Sequence, residues 1–314
     1  MRRVAALLAA ALLGAGFVGC GGGGAEPGAP KGATLVLDFQ PNAVHSGIYA
    51  AQANGYLKDE GVDLTIREPS TTADSAKLLE AGRADFAVMD INDFGIARER
   101  GLDLVAIAAI VQRPLASVIA RDRNEIRTPA DLAGKTVGVT GVPSDDAVLD
   151  TVLRSGGVDP SSVHRVTIGF NAVTDLAAGK VDAATGFWNA EGVQLQQQGI
   201  PIREFRVDEF GAPRYPELLV VARADTSSDG LADQLTAALS RGYDELDARP
   251  GIALTDLLHQ VPGLDAADQA RQLQSLTTSH AFARGGSTAT PRLDPASIRR
   301  WRQWALSAGL LDSG

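Results

Sequence analysis

Asp38-Phe39-Gln40-Pro41-Asn42-Ala43-Val44-His45-Ser46-Gly47-Ile48-Tyr49 is a short apolar strand that runs into a polar turn and then directly into a helix. Residues 34–37 are strand formers, Pro41 and Asn42 break the chain, and Val44, Ile48 and Ala51 recur at helical spacing. Gly55 stands where a helix would end, and residues 62–66 form a second strand, so the segment predicts a β-α-β unit. In an open α/β sheet, ligands gather at the carboxyl ends of strands. That makes Asp38, Phe39, Asn42 and His45 candidate ligand contacts; His45 could equally brace the loop.

Moving outward, Leu79-Glu80-Ala81-Gly82-Arg83-Ala84-Asp85-Phe86-Ala87 is echoed by Leu176-Ala177-Ala178-Gly179-Lys180-Val181-Asp182-Ala183-Ala184. In both, a glycine ends a helix, a basic residue sits at its negative dipole end, and an aspartate precedes an apolar strand. Counting forward, the two strands deliver Asp90 and Asn92 in one copy and Phe187, Trp188 and Asn189 in the other. Two copies in matching context predict two α/β lobes with mixed sheets that face each other across a cleft, joined by two hinge crossings.

The expected layout gives residues 33–115 and 218–314 to lobe one and 116–217 to lobe two, with Gln112 at the first crossing and as a further cleft candidate. Pro129 opens a short helix capped by Thr128, residues 136–139 form a strand, and residues 141–145 lead into a helix that ends near Arg154. Ser144, at that helix start, either holds a polar group of a ligand or simply caps. Residues 164–168, 183–185 and 203–206 read as strands, and 217–222 returns the chain to lobe one. Helices are expected over 231–246, 252–259, 266–279 and 297–306, the last packing Trp301 and Trp304 into the core.

The first residues are basic at Arg2 and Arg3 and then small and apolar, which predicts an export signal over 1–19. Phe17-Val18-Gly19-Cys20 resembles a bacterial lipid-attachment box, so Cys20 is the expected lipidation site and 20–32 a flexible tether. Cys20 is the single cysteine, which excludes an intramolecular disulfide and a thiolate zinc cluster. About 280 residues remain for the fold, more than one comfortable core. A net charge of -9 without a basic run argues against nucleic acid. Gly134-Lys135-Thr136 lacks the upstream glycine of a phosphate-binding loop, and the four histidines show no paired metal-ligand spacing. No catalytic residue, metal or cofactor is expected.

Gly186-Phe187-Trp188-Asn189-Ala190-Glu191-Gly192 places two aromatics and a carboxylate at a strand-to-helix junction. Phe187 or Trp188 can stack on a flat heterocycle while an ionised Glu191 accepts paired N–H groups; the alternative for Glu191 is a charge at its own helix start.

The opening stretch, the Phe-Trp-Asn-x-Glu cluster and Gly211-Ala212-Pro213-Arg214-Tyr215-Pro216-Glu217-Leu218 together resemble the solute-binding proteins that serve ABC importers of thiamine pyrimidine precursors. Phe39 stands where that family usually carries tryptophan. The resemblance implies a periplasmic-binding-protein type II fold, Glu191 as the pyrimidine-reading residue and Tyr215 as a further aromatic contact, with Glu217 either in the site or a structural acid of the crossing. It also implies a monomer lipid-anchored on the extracytoplasmic face of a bacterial membrane, partnered by a permease and its ATPase. Riboflavin and sulfonates such as taurine are the ligands of related branches. Eukaryotic pyrimidine synthases share the fold but would need a Schiff-base lysine near the cleft and a cysteine-rich segment; this sequence has the one cysteine and no lysine in its opening motif.

Overall fold

The computed structural model describes residues 29–70, 74–122, 126–227, 229–282 and 293–312. The expected export signal, Cys20 and the tether as far as residue 28 lie outside these residues. In chain order the described strands are β1 (Lys31–Val36), β2 (Val62–Arg67), β3 (Phe86–Asp90), β4 (Leu104–Val111), β5 (Ala116–Arg121), β6 (Thr136–Val139), β7 (His164–Thr167), β8 (Ala183–Phe187), β9 (Ile202–Arg206) and β10 (Leu218–Arg223). The helices are α1 (Ser46–Ala53), α2 (Tyr56–Asp59), α3 (Asp74–Glu80), α4 (Ile91–Glu99), α5 (Pro143–Ser155), α6 (Ala172–Ala178), α7 (Val193–Gln197), α8 (Leu231–Ala248), α9 (Pro250–Gln260), α10 (Ala266–Thr278) and α11 (Pro295–Ser307).

Two five-stranded mixed sheets result, in the orders β2-β1-β3-β10-β4 and β7-β6-β8-β5-β9. Each has four strands running one way and one antiparallel strand inserted among them, β10 between β3 and β4 in the first sheet and β5 between β8 and β9 in the second. Both inserted strands directly follow a crossing, so the chain enters the second sheet through β5 and returns to the first through β10.

The internal echo has a physical basis. Gly82 and Gly179 both take left-handed backbone angles, φ 62 and 69. Each following aspartate then clasps the strand that runs parallel beside its own, β1 in the first sheet and β6 in the second. Asp85 accepts the Thr34 N–H at 2.7 Å and returns its own N–H to the Thr34 carbonyl, and Asp182 does the same with Thr136, its carboxylate at 2.9 Å. A part-buried backbone donor is thereby satisfied at the same place in both sheets.

The tether boundary needs correction. Lys31 and Gly32 belong to β1, paired with Val62 and Asp63, and the Lys31 N–H reaches the Gly61 carbonyl at 2.8 Å. Both residues are exposed, so they leave no apolar pattern to read, whereas the backbone ladder that holds them requires none.

The opening motif is seated by α8. Tyr243 donates its hydroxyl to the Val44 carbonyl at 2.9 Å, and its ring lies where a Cβ on Gly47 would fall, at 2.6 Å. A Cβ on Gly242 would come within 2.0 Å of the Gly47 carbonyl oxygen, so α1 and α8 approach to backbone contact. Gly242→Ala should therefore cost about 1–3 kcal/mol or more of overpacking. Gly251, with nothing within 4 Å of its Cβ position, should tolerate alanine without loss. Urea unfolding of the two variants side by side reads the difference; equal midpoints would contradict the close approach.

Candidate functional site

A cleft of about 1040 Å³, counted out to its open mouth, lies between the two sheets at the carboxyl ends of β1, β3, β6 and β8. The first lobe contributes Asp38, Phe39, Asn42, Asp90, Asn92 and Asp93. From the second lobe come Ser144, Asp145, Phe170, Phe187, Asn189 and Glu191. Aliphatic side chains such as Val88, Val142 and Val148 fill the wall between the polar groups.

Asn42 caps the turn that follows β1 by accepting the Val44 N–H at 3.1 Å, while its own N–H donates to His45 Nδ1 at 3.2 Å. Because Nδ1 accepts, the ring proton belongs on Nε2, which donates to Asp38 Oδ1 at 2.8 Å. His45 is fully buried and does not line the cleft: it braces the loop and aims Asp38. Asp90 caps α4 by accepting the Asn92 N–H at 2.5 Å. Asn92 in turn accepts the Trp301 indole N–H at 2.7 Å, which ties the last helix to the cleft wall.

On the opposite wall, Glu191 accepts the Phe187 N–H at 2.9 Å within the single π turn of Trp188–Gly192. Its carboxyl is half-buried and lines the cleft, so the turn-stabilising role and exposure to a ligand coexist. Burial, and secondarily the charge of Asp145, push its pKa up. Asn189 is 1% exposed and its Oδ1 has no hydrogen-bond partner. Asp145 accepts both the N–H and the hydroxyl of Thr140, and burial raises its pKa as well. Ser144 is more than a cap: it donates its hydroxyl across the cleft to Asp93 Oδ1 at 3.0 Å.

Three further expected contacts are placed elsewhere. Trp188 is fully buried, gives its indole N–H to the Pro114 carbonyl at 2.9 Å and lies under the Arg206 guanidinium at 4.2 Å. A tryptophan so enclosed packs the crossing and has no face left for a ligand. Tyr215 is likewise buried, stacked on Trp304 at 5.5 Å. Gln112 does not line the cleft; it donates its N–H to the Ala281 carbonyl and its amide to Ala109. Glu217 is a structural acid, fully buried, with Oε2 accepting the Leu115 N–H at 2.8 Å.

Sequence reasoning missed Asp93, Asp145 as a lining residue, and Phe170. Asp93 sits three residues after the cap Asp90, a spacing that turns it to the same side as the helix start. Phe170 is a large apolar residue between a glycine and a helix-capping asparagine, a context that suggests only a turn.

Asp93 links the cleft to pH. Burial, then the neighbouring Asp90 charge, push its pKa up to about 7. An unfolded aspartate titrates near pH 3.9, so folding takes up a proton between about pH 4 and about pH 7. This contribution to stability is full below about pH 4 and is lost as pH rises through about 7. Asp93→Asn, which can still accept from Ser144, should therefore show a smaller fall in urea midpoint between pH 5 and pH 8 than the parent chain. Parallel pH profiles would place the titration elsewhere.

The family described as NMT1/THI5 like matches residues 42–253. A formylaminopyrimidine-binding protein of Halalkalibacterium halodurans is 34% identical over 228 residues, 71% of this chain and 69% of that protein. A 4-amino-5-hydroxymethyl-2-methylpyrimidine phosphate synthase of Legionella pneumophila is 29% identical over 163 residues, 52% of this chain and 51% of the synthase. In structure, the periplasmic aliphatic sulphonate binding protein SsuA from Escherichia coli superposes with a TM-score of 0.70 at 17% identity, covering 90% of this chain and 92% of that one. The two mixed sheets, the paired crossings and the cleft between them are those of a periplasmic-binding-protein fold, and the chain belongs to the NMT1/THI5 like family.

Proposed function

We propose that this chain is the substrate-binding component of an ABC importer and holds a thiamine pyrimidine precursor, of the formylaminomethyl- or hydroxymethyl-aminopyrimidine type, between its lobes. The observation that carries this reading is the charge of the cleft. Asp38, Asp90, Asp93, Asp145 and Glu191 line it, and no lysine or arginine does so among the described residues. An uncharged ring rich in N–H donors suits such a site, because each donor satisfies a carboxyl oxygen. Glu191 is suited to the amidine-like edge of an aminopyrimidine: one oxygen accepts the exocyclic N–H, and a single proton is shared between the other oxygen and the ring nitrogen. The raised pKa of Glu191 favours that sharing. The relative named as a formylaminopyrimidine-binding protein supports the same assignment.

Sulfonates fit poorly. Arg113, the cation nearest the crossing in sequence, is held by Asp208 at 2.8 Å, Glu209 at 2.9 Å and the Ser279 carbonyl, and Arg214 faces Asp208 at 3.6 Å. The same lack of cations disfavours a phosphate ester. A synthase that consumes pyridoxal phosphate would also need a lysine at the cleft, so the residues present do not fit that cofactor. In this reading the protein is a monomeric carrier, not an enzyme, anchored through lipid on Cys20 outside the cell membrane. It delivers its ligand to a permease and ATPase. Riboflavin, flat and donor-bearing, is the second ligand to test.

Calorimetric titration with the two pyrimidines, the phosphate ester of the hydroxymethyl compound, riboflavin and taurine decides among these. Binding of one or both free pyrimidines is expected, with none for the ester or taurine. Glu191→Gln should weaken the pyrimidine by about 1.5–3 kcal/mol, the range for hydrogen bonds to charged groups. Heat from taurine alone would end the pyrimidine reading.

A further inference from the structure

A flat ligand has two faces, and the fold supplies an aromatic from each lobe in addition to Phe187, which with Trp188 is the stacking candidate read from the sequence. Phe39, in the turn three residues past β1, and Phe170, in the loop after β7, both line the cleft. Their rings meet edge to face, 4.8 Å between centroids at 77°. We propose that Phe39 and Phe170 form an aromatic clamp across the cleft mouth, with Phe170 the lobe-two residue that selects planar ligands; the ligand half of this rests on the pyrimidine reading above.

The local structure shows why Phe170 is held there. Ile168 donates its N–H to the Val139 carbonyl at 2.8 Å, and its side chain occupies the space over Gly138, where a Cβ would fall 2.5 Å from Ile168 Cδ1. Gly169 follows at φ 54, a left-handed angle that turns the chain. Asn171 then closes the turn on the Ile168 carbonyl twice, with its N–H at 3.2 Å and its side-chain amide at 2.9 Å. Phe170 is the turn residue left projecting, and it stays 45% exposed although it touches Phe39. Such exposure is unusual for so large an apolar side chain beside a cleft, and a flat ring stacked at the mouth would cover it. Edge-to-face contact also leaves ring faces free, whereas a parallel stack would have consumed them.

The test is to titrate Phe170→Leu and Phe170→Tyr with the formylaminomethyl aminopyrimidine. Leucine keeps the bulk and loses the flat face, so affinity should fall about tenfold; tyrosine should stay within about threefold of the parent. Leucine binding as tightly as phenylalanine, or tyrosine as weakly as leucine, would overturn the clamp. If the parent chain binds no pyrimidine, the functional reading falls on its own account. The clamp is then judged without ligand, by the fluorine resonance of 4-fluorophenylalanine at position 170. Phe39→Leu should shift that resonance, and an unmoved signal would overturn the proposal.

Discussion

Glu217 is the point at which the two halves of the molecule are joined. Its N–H donates to the Val111 carbonyl at the end of β4, its carbonyl accepts the Ile91 N–H at the start of α4, and its carboxyl accepts the Leu115 N–H on the outgoing crossing. One buried residue of the returning crossing thus fixes the outgoing one and the helix that bears Asp90 and Asp93. The remaining oxygen, Oε1, has no hydrogen-bond donor, and burial raises the Glu217 pKa well above the ordinary value, with the Asp90 carboxyl beside it adding to the rise. A proton shared between the two acids accounts for both facts. Leaving such a carboxyl charged and unpaired would be costly in a buried site.

The same logic extends into the cleft. Its carboxyls come from both lobes, and burial lifts the pKa of Asp90, Asp93, Asp145 and Glu191 in the same direction. Crowded acids are relieved by protons, by hydroxyl and amide donors already in place such as those of Thr140 and Ser144, or by donors that a ligand brings. Positioning is left to neutral groups behind the wall: His45 aims Asp38, and Trp301 holds Asn92.

Much of this was legible in sequence because it rests on local rules. The glycine-basic-x-aspartate echo marked the two sheets, since a left-handed glycine and a strand-clasping aspartate leave fixed letters at fixed spacing. Strand β6 fell on residues 136–139 as expected, and Thr128 stands at the N-cap of the short helical turn that Pro129 opens, as read from the same kind of signal. What could not be read was which side of a strand end faces ligand. Trp188 and Phe187 are neighbours in sequence, yet one is covered by Arg113 of the outgoing crossing and Arg206 at the end of β9 while the other lines the cleft. That choice is made by Arg113 and Arg206, more than seventy and about twenty positions away, and no local pattern encodes it. Phe170 was missed for the opposite reason: an exposed phenylalanine in a turn has a role only once Phe39 is brought to it from the other lobe.

The order of strands along the chain also bears on how the protein is made. The second sheet uses β5 to β9, an unbroken run from Ala116 to Arg206, whereas the first lacks its inner strand until Leu218–Arg223 has been synthesised. Until then β3 and β4 have no partner between them, and their facing edges stay open. On a growing polypeptide the middle of the chain can therefore complete its sheet while the beginning still waits, and the amino-terminal lobe is the last to close. The unpaired edges of β3 and β4 are the stage at which a chaperone has most to protect.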